Sequence, residues 1–328
     1  MKKFLGLILF CFVLFSSCNT FKHNEHNIED LKKLPFNRTN FYNGNLNVPI
    51  EERIVLAPDN VIEFNQQMDG RDNYSPCYSF SADDKKLFMD YFSLLPAGVR
   101  SEVEEKVIAI YFIDNYAFGG MTYPVFDESD NLYAVLYFNS QLLRQSLSQW
   151  FEFRENSYFN ENKNYRIEVD FNKEHYALLH TLTHEAAHVY DQYNGNTPYV
   201  QPGFRSISTL EPTAFTKDIW LDYRQAVKKY DYPYRTKLSA YGYGKKQNKA
   251  LSVKIYENLR NTPFVSIYGS ASWAEDFAET FFFGFMNDVL DTQCVFTVYK
   301  NDKPVMSFNP MENPSVKARL ELISDLFK

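Results

Sequence analysis

Two histidines four residues apart, His184 and His188, lie in a run from Glu174 to Tyr193 that reads as one helix. Residues at that spacing share a helix face, so both imidazoles can reach one metal ion. Glu185 falls one step round the helix, beside such an ion rather than on it, where a general base for an activated water has to stand. A metal that does chemistry keeps three protein ligands and an open position, so a third ligand must come from elsewhere. Glu275 and Glu279 are the best candidates. They are four apart in a second stretch that reads as a helix, with Phe277, Phe281 and Phe285 on a stripe that packs into the core. Two carboxylates aimed at the histidine helix would supply one ligand and one group supporting a ligand from behind. Asp191, seven residues past His184, lies near the same face and can accept the free ring N–H of a ligand histidine or bind a nearby backbone group; the alternative is a solvated aspartate at a helix end. His180 reads as a packed or supporting histidine, and His175 as an exposed residue opening the helix.

Several elements must position these groups. Ser81-Ala-Asp-Asp84 predicts a capped helix start, followed by Leu87, Phe88, Tyr91, Phe92 and Leu95 at helical spacing and closed by Pro96 and Gly98. Val107–Ile113 and Leu132–Phe138 predict two central strands, with turns at Phe118–Gly120 and Asp127–Asn131. The second of these strands is expected to offer an open edge to an extended peptide. Ser140 is expected to cap a helix over Gln141–Gln149, and Tyr165–Phe171 to form a strand leading into the motif helix. Residues 40–80 predict short strands and loops, including Glu52–Leu56 and Asn60–Phe64. Ser208 or Thr209 can cap a helix running to Val227, and Ser252–Arg260 predicts another. Tyr230–Tyr243 is tyrosine-rich and reads as a solvated loop or a flap over a cleft. Arg205 and Arg235 are candidates to hold a peptide carboxylate or carbonyl. A hairpin around Asn301-Asp302 and a helix from Pro314 to Leu326 end the chain. The order of helices and strands predicts an α+β fold with a small mixed sheet.

The chain has 328 residues, 45% hydrophobic and 23% charged, enough for a sizeable core. Its net charge of -7, with no basic run beyond the first residues, speaks against a nucleic-acid partner. The 17% aromatic content implies an aromatic core or an aromatic-lined cleft. At the N-terminus Lys2-Lys3 precede an apolar run, Phe4–Phe15, that is short for a membrane span but suits a signal peptide. The ending Leu14-Phe15-Ser16-Ser17-Cys18 resembles a bacterial lipoprotein signal. That resemblance implies cleavage before Cys18, a lipid on Cys18, and a place in the bacterial cell envelope, facing the periplasm or the exterior; a plain cleaved signal or an N-terminal anchor would also export the chain. The expected organisation is a signal over 1–17, a tether over 18–38, a small region of loops and strands over 39–80, and a catalytic domain over 81–328. Cys77 and Cys294 remain in an oxidising compartment and can pair there.

The run His-Glu-x-x-His-x-x-Asp-x-Tyr-x-Gly, His184 to Gly195, resembles the motif helix of the anthrax lethal factor catalytic domain and of the Pro-Pro endopeptidases, within the gluzincin zinc peptidases. The resemblance implies a zincin-like fold, one zinc ion held by His184, His188 and Glu275, and Glu185 as general base. Glu275 would be the first Glu of the group's Glu-x-x-Ala-Glu helix, completed by Ala278-Glu279. Tyr268, seven residues before it, would assist at the oxyanion. Glu279 and Asp191 would orient ligands. Ala186-Ala187 depart from lethal factor's bulkier residue and glycine, and Asn196–Pro263 matches nothing in the group. The activity implied is hydrolysis of peptide bonds in peptides or proteins. Two other readings use the same residues: a zinc hydrolase of cell-wall peptide amides, and a binding lipoprotein that kept the fold and lost catalysis.

Overall fold

The computed structural model describes residues 32–200 and 211–328; the signal segment, Cys18 and Arg205 lie outside them. The fold is α+β, and the chain divides between Arg144 and Gln145 into two compact units, so that the span 81–144 packs with the residues before it.

In the first unit, Pro58 precedes helix α1 (Asp59–Asp69), and Gly70, at φ 62°, ends it with a left-handed residue. Asn60–Phe64 therefore lies in a helix, not a short strand. Its Val61, Ile62, Phe64 and Asn65 form the buried face. After the short strand β1 (Ser75–Pro76), Ser81 and Asp84 close a capping box at the start of α2 (Ala82–Leu94). Pro96 ends that helix and also opens another, α3 (Ala97–Lys106), which the sequence reading lacked. The sheet comprises β1, β2 (Val107–Asp114), β3 (Gly120–Phe126) and β4 (Leu132–Asn139) in the order β1-β2-β4-β3. β2 and β4 run parallel, and every other pairing is antiparallel. β4 is thus flanked on both sides, and its predicted open edge does not exist. The edge belongs to β3, a position that tolerates its Pro124. From Lys32 the chain is already folded: Asn37 is buried and accepts a hydrogen bond from Tyr123 Oη at 2.6 Å, and Arg38 bridges to Phe126.

The second unit opens on helix α4 (Leu147–Ser157). Its cap is Ser146, in a capping box with Gln149; Ser140 instead begins a single 3₁₀ turn capped by Asn139. Strand β5 (Tyr165–Phe171) leads to helix α5 (Leu178–Asn194), as expected. Residues 211–227 form turns where a helix was predicted, and residues 201–210, with the proposed caps, lie outside the described residues. Helices α6 (Ser252–Leu259) and α7 (Trp273–Asp288) follow. Strands β6 (Cys294–Lys300) and β7 (Lys303–Phe308) form the predicted hairpin, with Asn301 and Asp302 both at positive φ, as a two-residue turn between twisted strands requires. The three-stranded antiparallel sheet has the order β5-β6-β7. Helix α8 (Pro314–Glu321) and a last 3₁₀ turn replace the single final helix. Cys77 and Cys294 are both buried free thiols, so the pairing left open by the sequence is not made.

Candidate metal centre

α5 and α7 pack against each other inside the second unit, and their facing residues make the site. α5 starts at Leu178 without a side-chain cap and ends at Gly195, whose φ of 65° admits the left-handed close. Burial holds it: Leu178, Leu179, Leu182, Ala186, Ala187 and Val189 are inaccessible to solvent. His175 lies ahead of the helix and is half-buried rather than exposed, its carbonyl accepting from the Leu147 N–H. α7 starts at Ser272, whose hydroxyl accepts from the Glu275 N–H. Its apolar stripe is as expected, with Phe277, Phe281 and Phe285 fully buried.

The structure brings His184, His188 and Glu275 together. His184 Nε2 lies 3.1 Å from Glu275 Oε2 and 3.2 Å from His188 Nε2, and His188 Nε2 lies 3.6 Å from Glu275 Oε2. Bonds of roughly 2.0–2.1 Å to a tetrahedral ion place ligand atoms about 3.3–3.4 Å apart. The three separations bracket that edge.

The protons argue the same way. On the far side of the His184 ring, Nδ1 lies 3.3 Å from Glu279 Oε1, without the alignment of a full hydrogen bond. A carboxylate only accepts, so it favours the proton on Nδ1 and leaves a lone pair on Nε2. That lone pair then points at a second carboxylate and a second imidazole, an arrangement that calls for a cation. Burial alone would lower the His184 pKa. Glu275 and Glu279 outweigh it and raise the pKa to about 10, so without an ion a second proton on Nε2 stands where the cation would be, while burial at Glu275 is outweighed by the two histidines, which hold its carboxyl well below the usual range. Two nitrogens, one carboxylate oxygen and tetrahedral edges together fit a divalent metal ion.

Glu279 is fully buried and saturated with donors. Arg154 reaches it with two nitrogens, Nη1 to Oε1 at 3.0 Å and Nη2 to Oε2 at 2.9 Å. His180 Nε2 lies 2.9 Å from Oε1, and Ser266 Oγ donates to Oε2 at 2.6 Å. His180 is therefore the supporting histidine that its spacing suggested; burial lowers its pKa to about 4 and keeps it neutral. His180, His184 and Glu279 also lie close enough to share an ion. There the Arg154 guanidinium already supplies the positive charge.

Glu185 is buried, and its charge is felt at both His184 and Tyr268. The Tyr268 ring centre is 5.8 Å from that of His184. Burial and the Glu275 charge raise its phenol pKa well above the ordinary value, so it stays a donor. Asp191 turns its carboxylate to Thr197, accepting from the backbone N–H at 2.7 Å and from Oγ1. It ties off the chain after α5, and its link to the site is electrostatic, through His188. Arg235 is buried, with its guanidinium on Asp231 and the carbonyls of Ser270 and Arg224, so it holds a loop and not a substrate.

Sequence reasoning missed Arg154, Ser266 and Tyr241. Tyr241 sits in the tyrosine-rich loop at φ 58°, its N–H on Ser157 Oγ and its ring 6.0 Å from Tyr268 and 5.8 Å from Trp150. Tyr241 thus sets the tyrosine-rich stretch Tyr230–Tyr243 beside the centre, as the flap reading suggested. Among the described residues no helix is long and apolar enough to cross a membrane. Comparison with known proteins gave no match: no family profile, no curated protein and no solved structure matches this chain.

Proposed function

We propose that this chain is a zinc-dependent endopeptidase of the gluzincin type, exported and tethered to the bacterial envelope through a lipid on Cys18. The observation that carries the reading is the triangle of His184 Nε2, His188 Nε2 and Glu275 Oε2, set at tetrahedral edges beside a buried Glu185. The resemblance of both motifs to lethal factor and the Pro-Pro endopeptidases supports the same assignment, as does a donor set of imidazoles and a carboxylate, which suits zinc. When bound, the ion supplies a Lewis acid that polarises a carbonyl and acidifies water to a pKa of roughly 7.

The chain's own groups do the rest. Glu185 takes a proton from the attacking water and passes it to the leaving amine. Tyr268 donates to the oxygen on which negative charge develops, a contact typically worth about a hundredfold or more in rate. Glu279 holds the His184 ring so that its Nε2 faces inward.

The test is zinc content and peptide cleavage by the purified full chain. One zinc per chain, with cleavage of a mixed peptide library that vanishes in Glu185→Gln, is the expected result. Bound zinc without peptide cleavage would move the reading to a hydrolase of cell-wall amides. A folded chain without zinc would leave a binding lipoprotein.

A further inference from the structure

We infer that Arg154 is a positioning residue of the metal centre: its two-pronged hold on Glu279 fixes which nitrogen His184 offers to the ion. The inference rests on the reading of His184, His188 and Glu275 as metal ligands, and needs no assumption about substrate.

Arg154 is fully buried in the last turn of α4, and burial is an expensive setting for a charge. A buried arginine–carboxylate pair is weak evidence for stability, because well-packed apolar residues often serve as well. Here the pair has a further consequence. The guanidinium is planar and rigid, so two parallel bonds set the plane and the position of the Glu279 carboxylate together. The oxygen that takes Arg154 Nη1, Oε1, is the same one that faces His184 Nδ1 at 3.3 Å and His180 Nε2 at 2.9 Å. The contact to His184 is long and poorly aligned, so it is not strong enough to place the carboxylate by itself.

Arg154 is itself held from several sides. Its Nε lies 3.3 Å from Glu155 Oε1, and Glu155 accepts from Tyr256 Oη at 2.6 Å. Its guanidinium carbon lies 4.3 Å from the centre of the Phe151 ring and 5.1 Å from that of Tyr268. One side chain therefore braces the carboxylate behind His184 and the ring proposed for the oxyanion. A lysine keeps the charge but loses the fork, so it separates orientation from neutralisation.

The experiment compares the full-length wild type with Arg154→Lys, Arg154→Met and the control Arg319→Lys. The control makes the same change in a buried arginine on Asp276 of α7 that touches no proposed ligand. Zinc affinity of the folded protein is read by competition with a chromophoric chelator, and ligand geometry from the visible spectrum of the cobalt-substituted protein. The expected result is zinc binding weakened about tenfold in Arg154→Lys and up to about a hundredfold in Arg154→Met, the range for loss of an outer-shell partner. The cobalt band should change in both variants. Arg319→Lys should melt earlier with zinc affinity and cobalt band unchanged. If Arg154→Met does not fold, the lysine variant decides alone. Wild-type affinity with an unaltered cobalt band in Arg154→Lys would overturn this inference and leave the metal site standing. A folded wild type that binds no zinc would overturn both.

Discussion

Helix α7 carries two fully buried carboxylates three residues apart, Asp276 and Glu279, each paired with a buried arginine from another helix. Around Asp276 the partners are Arg319, the Trp220 indole N–H at 2.8 Å and, at a marginal 3.4 Å, Thr280 Oγ1. Arg319 then packs on the Phe215 ring and donates to the Phe215 carbonyl. This region ties α7 and α8 to a loop and meets no histidine. Around Glu279 the partners include Arg154, His180 and Ser266, and beyond them the His184 ring. A buried, paired charge is thus not by itself the mark of a site. The mark is a carboxylate whose partners include a ring nitrogen with its opposite lone pair facing other ligands.

The largest expected effects fall on the ligand side. Glu185→Gln should lower peptide hydrolysis by about 10²–10⁴-fold, the usual worth of a positioned proton acceptor. Zinc content should be unchanged, because Glu185 lies outside the ligand triangle. Loss of zinc in that variant would make Glu185 a ligand and undo the division of roles. Glu275→Ala removes one of three ligands; structural zinc in finger peptides binds with roughly 10–16 kcal/mol, which sets the scale for one ligand's share. Zinc affinity should therefore fall by about three orders of magnitude in a chelator competition, and the metal-free protein should melt earlier as well, because Glu275 pairs with His184 there. Glu275 is only partly buried, so its removal opens no core cavity.

The Asp276 region should respond in the opposite sense. Arg319→Met leaves a buried carboxylate without its main partner, a change that typically costs about 3–5 kcal/mol. Denaturant unfolding should show that loss, while the zinc affinity of the folded protein stays at the wild-type value. A matching loss of zinc affinity would mean that the two regions form one network.

The ligand half of this contrast was legible in the sequence, because a helix repeats its geometry. His184, His188, Glu275 and Glu279 are each four apart within their pairs, and that spacing alone places them on shared faces. Arg154 was not legible. It lies 125 residues from Glu279, and its meaning depends on how α4 packs. Local signals were misread where several competed: Asn139, Ser140 and Ser146 are all capping residues, and Gln149, three after Ser146, was the discriminating one. β3 hid behind Gly119-Gly120 and Pro124, since only the finished sheet shows it to be an edge. The helix predicted up to Val227 gave way to turns that carry Trp220 to Asp276 and the Phe215 carbonyl to Arg319.

The smallest effect separates the two carboxylates by sign. Burial pushes both carboxyl pKa values up. At Glu279 the positive charge of Arg154, the bond to His180 and the nearby His184 ring outweigh burial and hold the pKa well below the ordinary range. At Asp276 burial outweighs Arg319 and Trp220, and the pKa is raised. A depressed carboxyl contributes stability that is present above its unfolded value, about 4.3 for glutamate, and is lost as the pH falls towards its folded value. A raised carboxyl holds its proton longer in the folded chain. It loses stability as the pH rises past about 3.9, the unfolded aspartate value, and through its folded value. Unfolding free energies of zinc-free wild type, Glu279→Gln and Asp276→Asn, measured from acid to neutral pH, should therefore diverge. The wild-type advantage over Glu279→Gln should grow with rising pH, and that over Asp276→Asn should shrink. Parallel slopes would show that both carboxylates sit in equivalent electrostatic surroundings, and the distinction between the structural pair and the pair behind His184 would then rest on geometry alone.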